Sequence, residues 1–464
     1  MGGFVFYDLV FLALFILFVI IFLSTRKKNL ERQGIVYLYK TKLGIKFIEG
    51  FAKKFEKVLK PAQWLVLASG YVLMITIVWL FVKSVYLYLT SPLVQYIKSP
   101  PVVLLVPYFP KLFGLDSFFP PFYFTYFIIA IGIVAVCHEF SHGIFMKLNK
   151  INILSTGFAF LGPILGAFVE QDEKQMSKKK KFPQMVVLAA GTFANVVMAL
   201  LFFGILALFF TSAFVPAGVK FSMYAFTNVN VEDISIIGNS SIGESYVEIN
   251  VNGERYFVEH AALQNSLENE IPTLFVFEDT PAFNSQIRGA ITEINDIKTR
   301  DSEELSYVLG SFEVGDEVKV KTAILEPGTE IVSETREYNL TLAEREGRPY
   351  LGIVFMENGG GGFVGFFYDL FFKVKDPFTH YESSWGNFGW FVYYLLWWIV
   401  VINFLVALFN MLPLGILDGG RFFYLTIWGL TKRESWARKS YKFAMWFLLA
   451  LIFVMMAKWV LRFI

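Results

Sequence analysis

Residues 121–147 read PFYFTYFIIAIGIVAVCHEFSHGIFMK, an apolar stretch long enough to cross a bilayer as a helix. It contains the motif H-E-x-x-H, formed by His138, Glu139 and His142. Residues four apart share one face of a helix, so both imidazoles can bind one zinc ion while the adjacent glutamate acts on a water molecule. A glutamate inside an apolar span is energetically costly and usually functional. The stretch therefore predicts a metal centre on a membrane-spanning helix.

The composition of the whole chain also indicates a membrane protein. Of its 464 residues, 55% are hydrophobic and only 17% are charged, which is unusual for a soluble domain. The single cysteine, Cys137, excludes an intramolecular disulfide. The sequence shows no nucleic-acid-binding signature. Its basic clusters flank apolar spans, where membrane topology explains them.

Apolar stretches predict six membrane crossings, the first of them a retained anchor because its basic residues follow it and no small-residue cleavage site closes it. They lie at 4–23, 62–89, 121–147, 183–213, 388–417 and 441–462.

Lysine and arginine placement orients these crossings. Segments 24–61, 147–182 and 421–442 hold eleven, seven and six basic residues, whereas segment 90–120 holds two. With six spans, the three rich segments fall on one side, which the positive-inside rule makes cytoplasmic. Both termini and the region 214–387 are then outside, and the predicted location is the cell membrane.

The outer region differs from the rest of the chain. It has an acidic excess, for which a solvated surface is the simplest explanation, and alternating runs at 246–251 and 317–321 that predict strands. The glycines at 359–362 predict a flexible joint, followed by a short interfacial segment before the fifth span. The sequons at Asn239 and Asn339 are glycosylation sites only if the host has that machinery.

A catalytic zinc ion needs a third protein ligand and an open position for water. Asp418 is the candidate, in a stretch where Pro413 and the following glycines break a helix and let a side chain turn inward. An ordinary polar turn at a helix end is the alternative for Asp418. Asp8, also inside an apolar span, is predicted to sit at the membrane interface. The alternative for the H-E-x-x-H residues is a polar patch that stabilises helix packing or relays protons.

These motifs together resemble the site-2 proteases, a family of intramembrane zinc metalloproteases that commonly carry a PDZ domain. The resemblance rests on His138–His142, on Asn410, Pro413 and Leu417–Gly419, and on a G-x-x-x-N pattern at Gly191 and Asn195. It implies one zinc ion on His138, His142 and Asp418, with Glu139 as general base.

Substrate-binding residues are predicted on two elements. Asn410, in the same motif as Pro413, is a candidate donor to the substrate backbone or the developing oxyanion. The alternative is that its amide satisfies the carbonyls freed by Pro413. The segment 155–170, with Gly157 and Gly162, is too short and kinked to span, and the resemblance implies a membrane-dipping β-hairpin that holds an unwound substrate by strand addition; a hydrophobic loop packed on the spans is the alternative. Asn195 and Asn403 are weaker candidates, since buried amides often only join helices.

The resemblance also implies a divergent PDZ domain in the outer region. Residues 279–283, 289–295, 315–318 and 350–353 match its pattern, although Arg288-Gly289 replaces the usual glycine-aspartate turn, and residues 220–270 are predicted to be an insertion. A size filter against substrates with untrimmed outer domains is the function that the family suggests. The predicted fold is thus a polytopic α-helical membrane protein of about six transmembrane helices with an inserted extracytoplasmic α+β PDZ-like domain. Its predicted segments are 1–90, 121–213, 214–358, 359–387 and 388–464.

The predicted function is zinc-dependent endoproteolysis of single-pass transmembrane proteins within the lipid bilayer, after a first cut by a site-1-type protease. Three alternatives remain from the sequence. They are a non-catalytic PDZ-bearing scaffold or chaperone, a transporter that uses the buried His and Asp residues, and a zinc protease whose third ligand is a glutamate.

Overall fold

The computed structural model describes most of the chain. The described residues are 2–27, 30–91, 99–103, 105–116, 119–161, 164–239, 242, 245–326, 328–356, 365 and 369–461. Gly162, Pro163, Pro327 and the predicted glycine joint at 359–362 lie outside them.

The chain divides into two compact units. The first comprises Met1–Leu206 and Val392–Ile464, and the second is the intervening Ala207–Phe391. The second unit lies between the fourth and fifth predicted apolar stretches along the chain and includes the end of one and the start of the other.

Long apolar helices dominate the first unit, because their side chains favour both a helical backbone and a non-aqueous environment. The helices of this unit, some of which continue into the second, are α1 (Gly2–Thr25), α2 (Ile45–Lys54), α3 (Glu56–Thr90), α4 (Phe109–Leu112), α5 (Phe124–Leu148), α6 (Glu173–Lys178), α7 (Lys181–Ala213), α11 (Gly386–Phe409), α12 (Asp418–Thr431) and α13 (Glu434–Val460).

Six helices in the described part of the chain are long and apolar enough to cross a membrane: Phe4–Thr25 of α1, α3, α5, α7, α11 and α13. This confirms the predicted number of spans.

The predicted end of the fifth span was wrong. The apolar composition suggested a continuous segment to residue 417, but α11 ends at Phe409 and α12 begins at Asp418. Backbone hydrogen bonds close tight turns between them, from Met411 to Leu408 and from Leu417 to Leu414. Asp418 is therefore the first residue of a separate helix and not part of the fifth span, and residues 421–431 of the predicted cytoplasmic loop are helical.

A four-stranded antiparallel sheet lies in the first unit, in the order β1 (Leu30–Gln33), β2 (Val36–Thr41), β3 (Ile153–Leu161), β4 (Ile164–Gln171). The hairpin β3–β4 confirms the predicted hairpin over 155–170. The β1–β2 hairpin, from the basic segment between α1 and α3, was not predicted. It pairs with β3 over Tyr37↔Phe160 to Thr41↔Thr156, which leaves β4 as an edge strand.

Asp8 caps the helix that carries the H-E-x-x-H motif, and its position at the membrane interface stays a prediction. The Asp8 carboxylate is 2% exposed and accepts hydrogen bonds from the backbone N–H groups of Phe124 and Thr125, at 2.8 and 2.9 Å. The hydroxyls of Thr125 and Tyr108 also donate to it. These are the first amides of α5, which have no partner within their own helix. A carboxylate from α1 thus fixes the start of α5.

The second unit contains two larger sheets. One has the order β7 (Phe226–Asn230), β11 (Thr273–Glu278), β10 (Glu254–Glu259), β9 (Tyr246–Val251), β8 (Ile234–Asn239), with its own core around Ile249 and Val258. It coincides with most of the predicted insertion over 220–270. The other has the order β15 (Val332–Thr341), β14 (Glu317–Leu325), β12 (Ala290–Ile294), β5 (Phe214–Val219), β19 (Thr379–Ser383), with β13 (Ile297–Lys298) beside β12. Strands β9 and β14 confirm the two alternating runs.

Short elements complete the second unit. They are α8 (His260–Glu268), α9 (Pro281–Asn284), α10 (Ser302–Leu309), β6 (Met223–Tyr224) paired with β18 (Ile353–Val354), and β16 (Ala343–Arg345) paired with β17 (Arg348–Tyr350).

Two of the PDZ-like sequence stretches are neighbours in this unit. Gly352 has a φ of +90°, and a Cβ there would collide with the Thr280 side chain, while the Ala282 N–H donates to the Leu351 carbonyl. Phe283 is fully buried, with its ring centroid 5.0 Å from that of Phe257 and 5.1 Å from that of Phe277. Residues 279–283 thus pack against 350–353 and join the two sheets.

Residues 379–383 were predicted to belong to a linker and interfacial segment, but they form β19 and pair with β5 from Thr379↔Val219 to Ser383↔Phe214. A buried ionic cluster accompanies this pairing. The Glu330 carboxylate contacts Lys220 at 2.7 Å, Lys375 at 2.6 Å and His380 at 3.2 Å. Each lysine charge thereby finds a counter-charge in an environment with little water.

Candidate metal centre

Three side-chain atoms converge on one point in the first unit. His138 Nε2 and His142 Nε2 are 3.0 Å apart, and Asp418 Oδ2 lies 3.2 Å from the first and 3.3 Å from the second. Zinc bonds of about 2.0–2.2 Å in a tetrahedral arrangement place ligand atoms roughly 3.3–3.5 Å apart. The triangle is within a few tenths of an ångström of that spacing, so these residues fit one zinc ion.

The other ring nitrogen of each histidine has a partner, which sets its protonation. His142 Nδ1 is 2.6 Å from the Val187 carbonyl, an acceptor, so Nδ1 carries the proton and Nε2 is a free lone pair. His138 Nδ1 is 3.0 Å from the Asn195 side-chain amide, whose Oδ1 is buried and has no hydrogen-bond partner among the described residues. If the amide is flipped by 180°, its Oδ1 accepts a hydrogen bond from a protonated Nδ1 of His138. Nε2 of His138 then also carries a free lone pair. Two lone pairs and a carboxylate that face one another are a donor set that fits a zinc ion.

Gly191 makes room for this arrangement. A Cβ at Gly191 would come 2.6 Å from His138 Nε2 and still closer to His142 Nε2. The α7 backbone can approach the two imidazoles only because this position has no side chain. Asn195, one turn further along α7, then reaches His138. The Gly191 and Asn195 pattern therefore positions both histidines.

The turn between α11 and α12 presents Asp418. The Gly419 N–H donates to the Asn410 carbonyl at 2.7 Å. Side chains at Gly419 and Gly420 would overlap the backbone of Met411 and Leu414 respectively. The two glycines therefore let the start of α12 pack directly on the turn, which brings Asp418 to the histidines. A carboxylate at the first residue of a helix is also favoured by the helix dipole.

Glu139 contacts the edge strand. Its Oε2 accepts a 2.8 Å hydrogen bond from the Val169 N–H on β4. An oxygen of Glu139 and the ring nitrogens of His138 and His142 lie within 4.8 Å of one another. Asp418 completes the ligand triangle at shorter distances than this, and the Glu139 carboxylate is already engaged by β4. The geometry therefore favours Asp418 over Glu139 as the third ligand.

A cavity of about 770 Å³ opens beside these residues. His138, Glu139, His142 and Asp418 line it together with Asn410. The Asn410 side chain makes no hydrogen bond to any other described residue. Strand β4 forms one wall through Gly166, Ala167, Val169 and Glu170. The cavity thus holds the candidate metal ligands, an amide and a strand edge.

Three other predicted residues, Pro413, Gly157 and Asn403, do not line this cavity. Pro413 lines a separate apolar groove. Gly157 is on the inner strand β3, where a Cβ would overlap the Tyr39 carbonyl oxygen of β2, so its lack of a side chain serves the sheet. Asn403 is fully buried and donates to the Ile399 carbonyl of its own helix. Gly162 is outside the described residues.

Val169 and Val187 take part in the site through backbone atoms and were not predicted. A backbone contact places no constraint on side-chain type, so the sequence carries no signal for either. Arg421, which reaches Glu173 at the cavity wall at 3.0 Å, was also missed, because ion pairs between distant segments leave no local pattern.

A helical membrane protein with a histidine, histidine and aspartate metal site of this kind has the features of an integral-membrane metalloprotease. Residues 126–455 match Peptidase family M50, and the chain belongs to this family, that of the site-2 proteases. A similar protein of Clostridium perfringens, named "Putative zinc metalloprotease", is 23% identical over 337 residues, which are 67% of this chain and 90% of that protein. An uncharacterized protein of Methanocaldococcus jannaschii is 28% identical over 193 residues, which are 40% of this chain and 47% of that protein.

Proposed function

We propose that this protein is a zinc-dependent intramembrane endopeptidase that hydrolyses peptide bonds within transmembrane segments of other membrane proteins. The observation that carries the proposal is the ligand triangle of His138, His142 and Asp418, with Glu139 beside it, on and next to helices long enough to span a bilayer.

The chain's own residues account for the proton transfers. A bound zinc ion supplies Lewis-acid polarisation of the scissile carbonyl and lowers the pKa of water. Glu139 removes a proton from the attacking water and later delivers it to the leaving nitrogen. Asn410, with its amide free in the cavity, donates to the substrate backbone or to the developing negative charge on the carbonyl oxygen. His138 and His142 stay in the tautomer that Val187 and Asn195 impose.

Strand β4 is suited to hold an unwound substrate. A transmembrane helix buries its carbonyls in its own hydrogen bonds, so it must unwind before hydrolysis. N–H and C=O groups of alternate residues in a strand point to the same side. Because Val169 points its N–H away from β3 toward Glu139, Ala167 also presents its amide along that free edge. A substrate strand added there places its backbone next to Glu139.

The proposed biological setting rests on membership of the site-2 protease family and on the charge distribution of the sequence. Single-pass membrane proteins already trimmed by a site-1-type protease are the proposed substrates, as in regulated intramembrane proteolysis. The lysine and arginine distribution supports a cell-membrane orientation with the second unit outside the cytoplasm. In this orientation the second unit, with its proposed PDZ-like part, acts as a size filter against substrates with intact outer domains.

Proteoliposomes containing the purified protein and a model single-pass substrate test the proposal. Glu139→Gln should retain one zinc per chain and lose cleavage by at least about 10²-fold, the usual contribution of a general base. Glu173→Gln, which alters another cavity carboxylate, is the matched control and should retain cleavage. Cleavage by Glu139→Gln at the wild-type rate would overturn the hydrolytic assignment. A wild-type protein that holds no stoichiometric zinc and cleaves nothing would favour the scaffold alternative.

A further inference from the structure

A second large concavity lies in the first unit, on helices α3, α12 and α13. This groove of about 880 Å³ is lined almost entirely by aliphatic and aromatic side chains, among them Met74, Val78, Phe443, Phe447 and Leu448. The groove is open toward the outside of the protein, where the Phe443 side chain is 71% exposed. An apolar groove on the sides of membrane-spanning helices excludes a polar occupant along most of its length.

One end of the groove is basic. Lys439 lines it, and the same lysine lines a smaller pocket of about 390 Å³ together with Arg438 and Lys442. The acidic residue there, Glu434, is already bonded to Arg438 at 2.9 Å and to the Tyr424 hydroxyl at 3.1 Å. Lys439 and Lys442 make no ion pair with any described residue. The basic end therefore carries two uncompensated positive charges.

The surroundings place this basic end at a membrane interface. Trp436 also lines the groove and is 57% exposed, and exposed tryptophans are typical of the headgroup level. Residues 432–442 belong to a lysine- and arginine-rich segment that the positive-inside rule assigns to the cytoplasm. The cytoplasmic leaflet is the one rich in anionic lipids, and basic pockets between helices on that side suit their headgroups.

We propose that this groove binds an anionic phospholipid, with an acyl chain along α3 and α13 and the headgroup phosphate on Lys439 and Lys442. Charge complementarity selects this occupant over a neutral lipid, because two lysines without counter-ions otherwise remain beside an apolar surface. A peptide or a second copy of the chain would need acidic groups at the same level.

The position of the groove gives the lipid a consequence for the metal centre. Pro413 lines the groove and belongs to the turn that presents Asp418. An acyl chain in the groove would pack against this turn at Pro413. The bound lipid is therefore expected to stabilise the start of α12.

Native mass spectrometry of the full-length protein in detergent tests the proposal directly. With added phosphatidylglycerol, the wild type should retain a bound lipid, and with phosphatidylcholine it should not. Lys439→Gln combined with Lys442→Gln should weaken phosphatidylglycerol binding by about thirtyfold, from the usual contribution of two lysines near a membrane surface. The matched control is Lys178→Gln with Lys180→Gln, two exposed lysines of another basic segment that do not line the groove.

A second variant tests the acyl site separately. Ala444→Trp fills the groove without changing its charge, so this variant should also bind the lipid more weakly. Adding the lipid should slow the deuterium exchange of residues 419–431 in the wild type and leave it unchanged in Ala444→Trp. If the two double lysine variants lost phosphatidylglycerol binding equally, the binding would reflect non-specific surface charge, and the proposal would be overturned. Equal binding of the two lipids, full competition by glycerol phosphate, or a dimer that Ala444→Trp dissociates would also overturn it.

Discussion

The Val169 N–H donates a 2.8 Å hydrogen bond to Glu139 Oε2, which joins the free edge of β4 to the proposed general base. The strand proposed to hold a substrate and the carboxylate proposed to activate water are therefore in direct contact. A substrate that pairs with β4 has its backbone beside Glu139 as soon as it binds.

Blocking the edge of β4 should impair substrate binding without affecting the metal. Ala167→Pro removes an N–H that is not used within the sheet and places a ring on the free edge. We expect cleavage of a transmembrane substrate to fall at least about tenfold, the equivalent of one lost backbone hydrogen bond of about 1.5 kcal/mol. Zinc content should be unchanged. Ala167→Ser, which keeps the N–H, is the control, and equal cleavage by both variants would exclude strand addition at this edge.

Filling the space at Gly191 should disrupt the metal centre. Alanine is favoured over glycine in a helix by up to about 1 kcal/mol, so helix propensity alone predicts no harm. The added Cβ, however, would overlap the imidazoles of His138 and His142. Gly191→Ala should therefore lose zinc during dialysis, as measured by elemental analysis. Gly204→Ala on the same helix meets open space and should retain zinc; retention by both variants would contradict the role of Gly191.

Removing the Asp8 carboxylate should destabilise the helix that carries His138. Asp8→Ala leaves the Phe124 and Thr125 amides without their acceptor, at a cost of about 1–3 kcal/mol. The melting temperature in detergent should fall by several degrees. Tyr108→Phe removes a single donor to the same carboxylate, so its melting temperature should fall less. If Asp8→Ala had the same melting temperature as the wild type, the cap would not stabilise α5.

The buried cluster in the second unit should make that unit sensitive to acid. Burial alone would raise the pKa of Glu330, but the charges of Lys375 and Lys220 and the hydrogen bond from His380 outweigh it and hold this pKa well below its ordinary value. A depressed pKa adds stability above the unfolded-state pKa of about 4.3 and loses it as the pH falls further.

Hydrogen exchange of β5 and β19, corrected for the intrinsic rate, measures this effect. In the wild type, the protection of these amides should fall as the pH drops below about 5. Glu330→Gln should already be destabilised at pH 7, by about 3–5 kcal/mol, because it removes the buried carboxylate that Lys220 and Lys375 share. Glu334→Gln, in an exposed pair with Arg336, should behave like the wild type. An unchanged acid response in Glu330→Gln would assign the sensitivity to other groups.

Local patterns in the sequence were sufficient to predict several parts of the structure. Helical periodicity places His138 and His142 on one face whatever the rest of the chain does, and alternation identified β9 and β14. The glycine at 191 and the amide at 195 were recognised from the family pattern, and the structure supplies the reason for both.

Contacts between distant segments could not be predicted in the same way. The pairing of Tyr37 with Phe160 and the capping of α5 by Asp8 depend on how distant segments meet, which hydrophobic periodicity does not encode. The boundary at Phe409 was misplaced because the apolar composition continues through a turn that only its backbone hydrogen bonds reveal. Which strand edge stays free, and hence the role of Val169, follows from the whole sheet.

The metal content of the purified full-length protein tests the central claim most directly. Elemental analysis should find one zinc per chain in the wild type and in Glu173→Gln, and X-ray absorption should show two imidazole nitrogens and a carboxylate oxygen at about 2.0–2.2 Å. Asp418→Ala should bind zinc far more weakly and lose the carboxylate ligand. A wild-type protein without stoichiometric zinc, or an Asp418→Ala protein with an unchanged zinc site, would contradict the proposed ligand set.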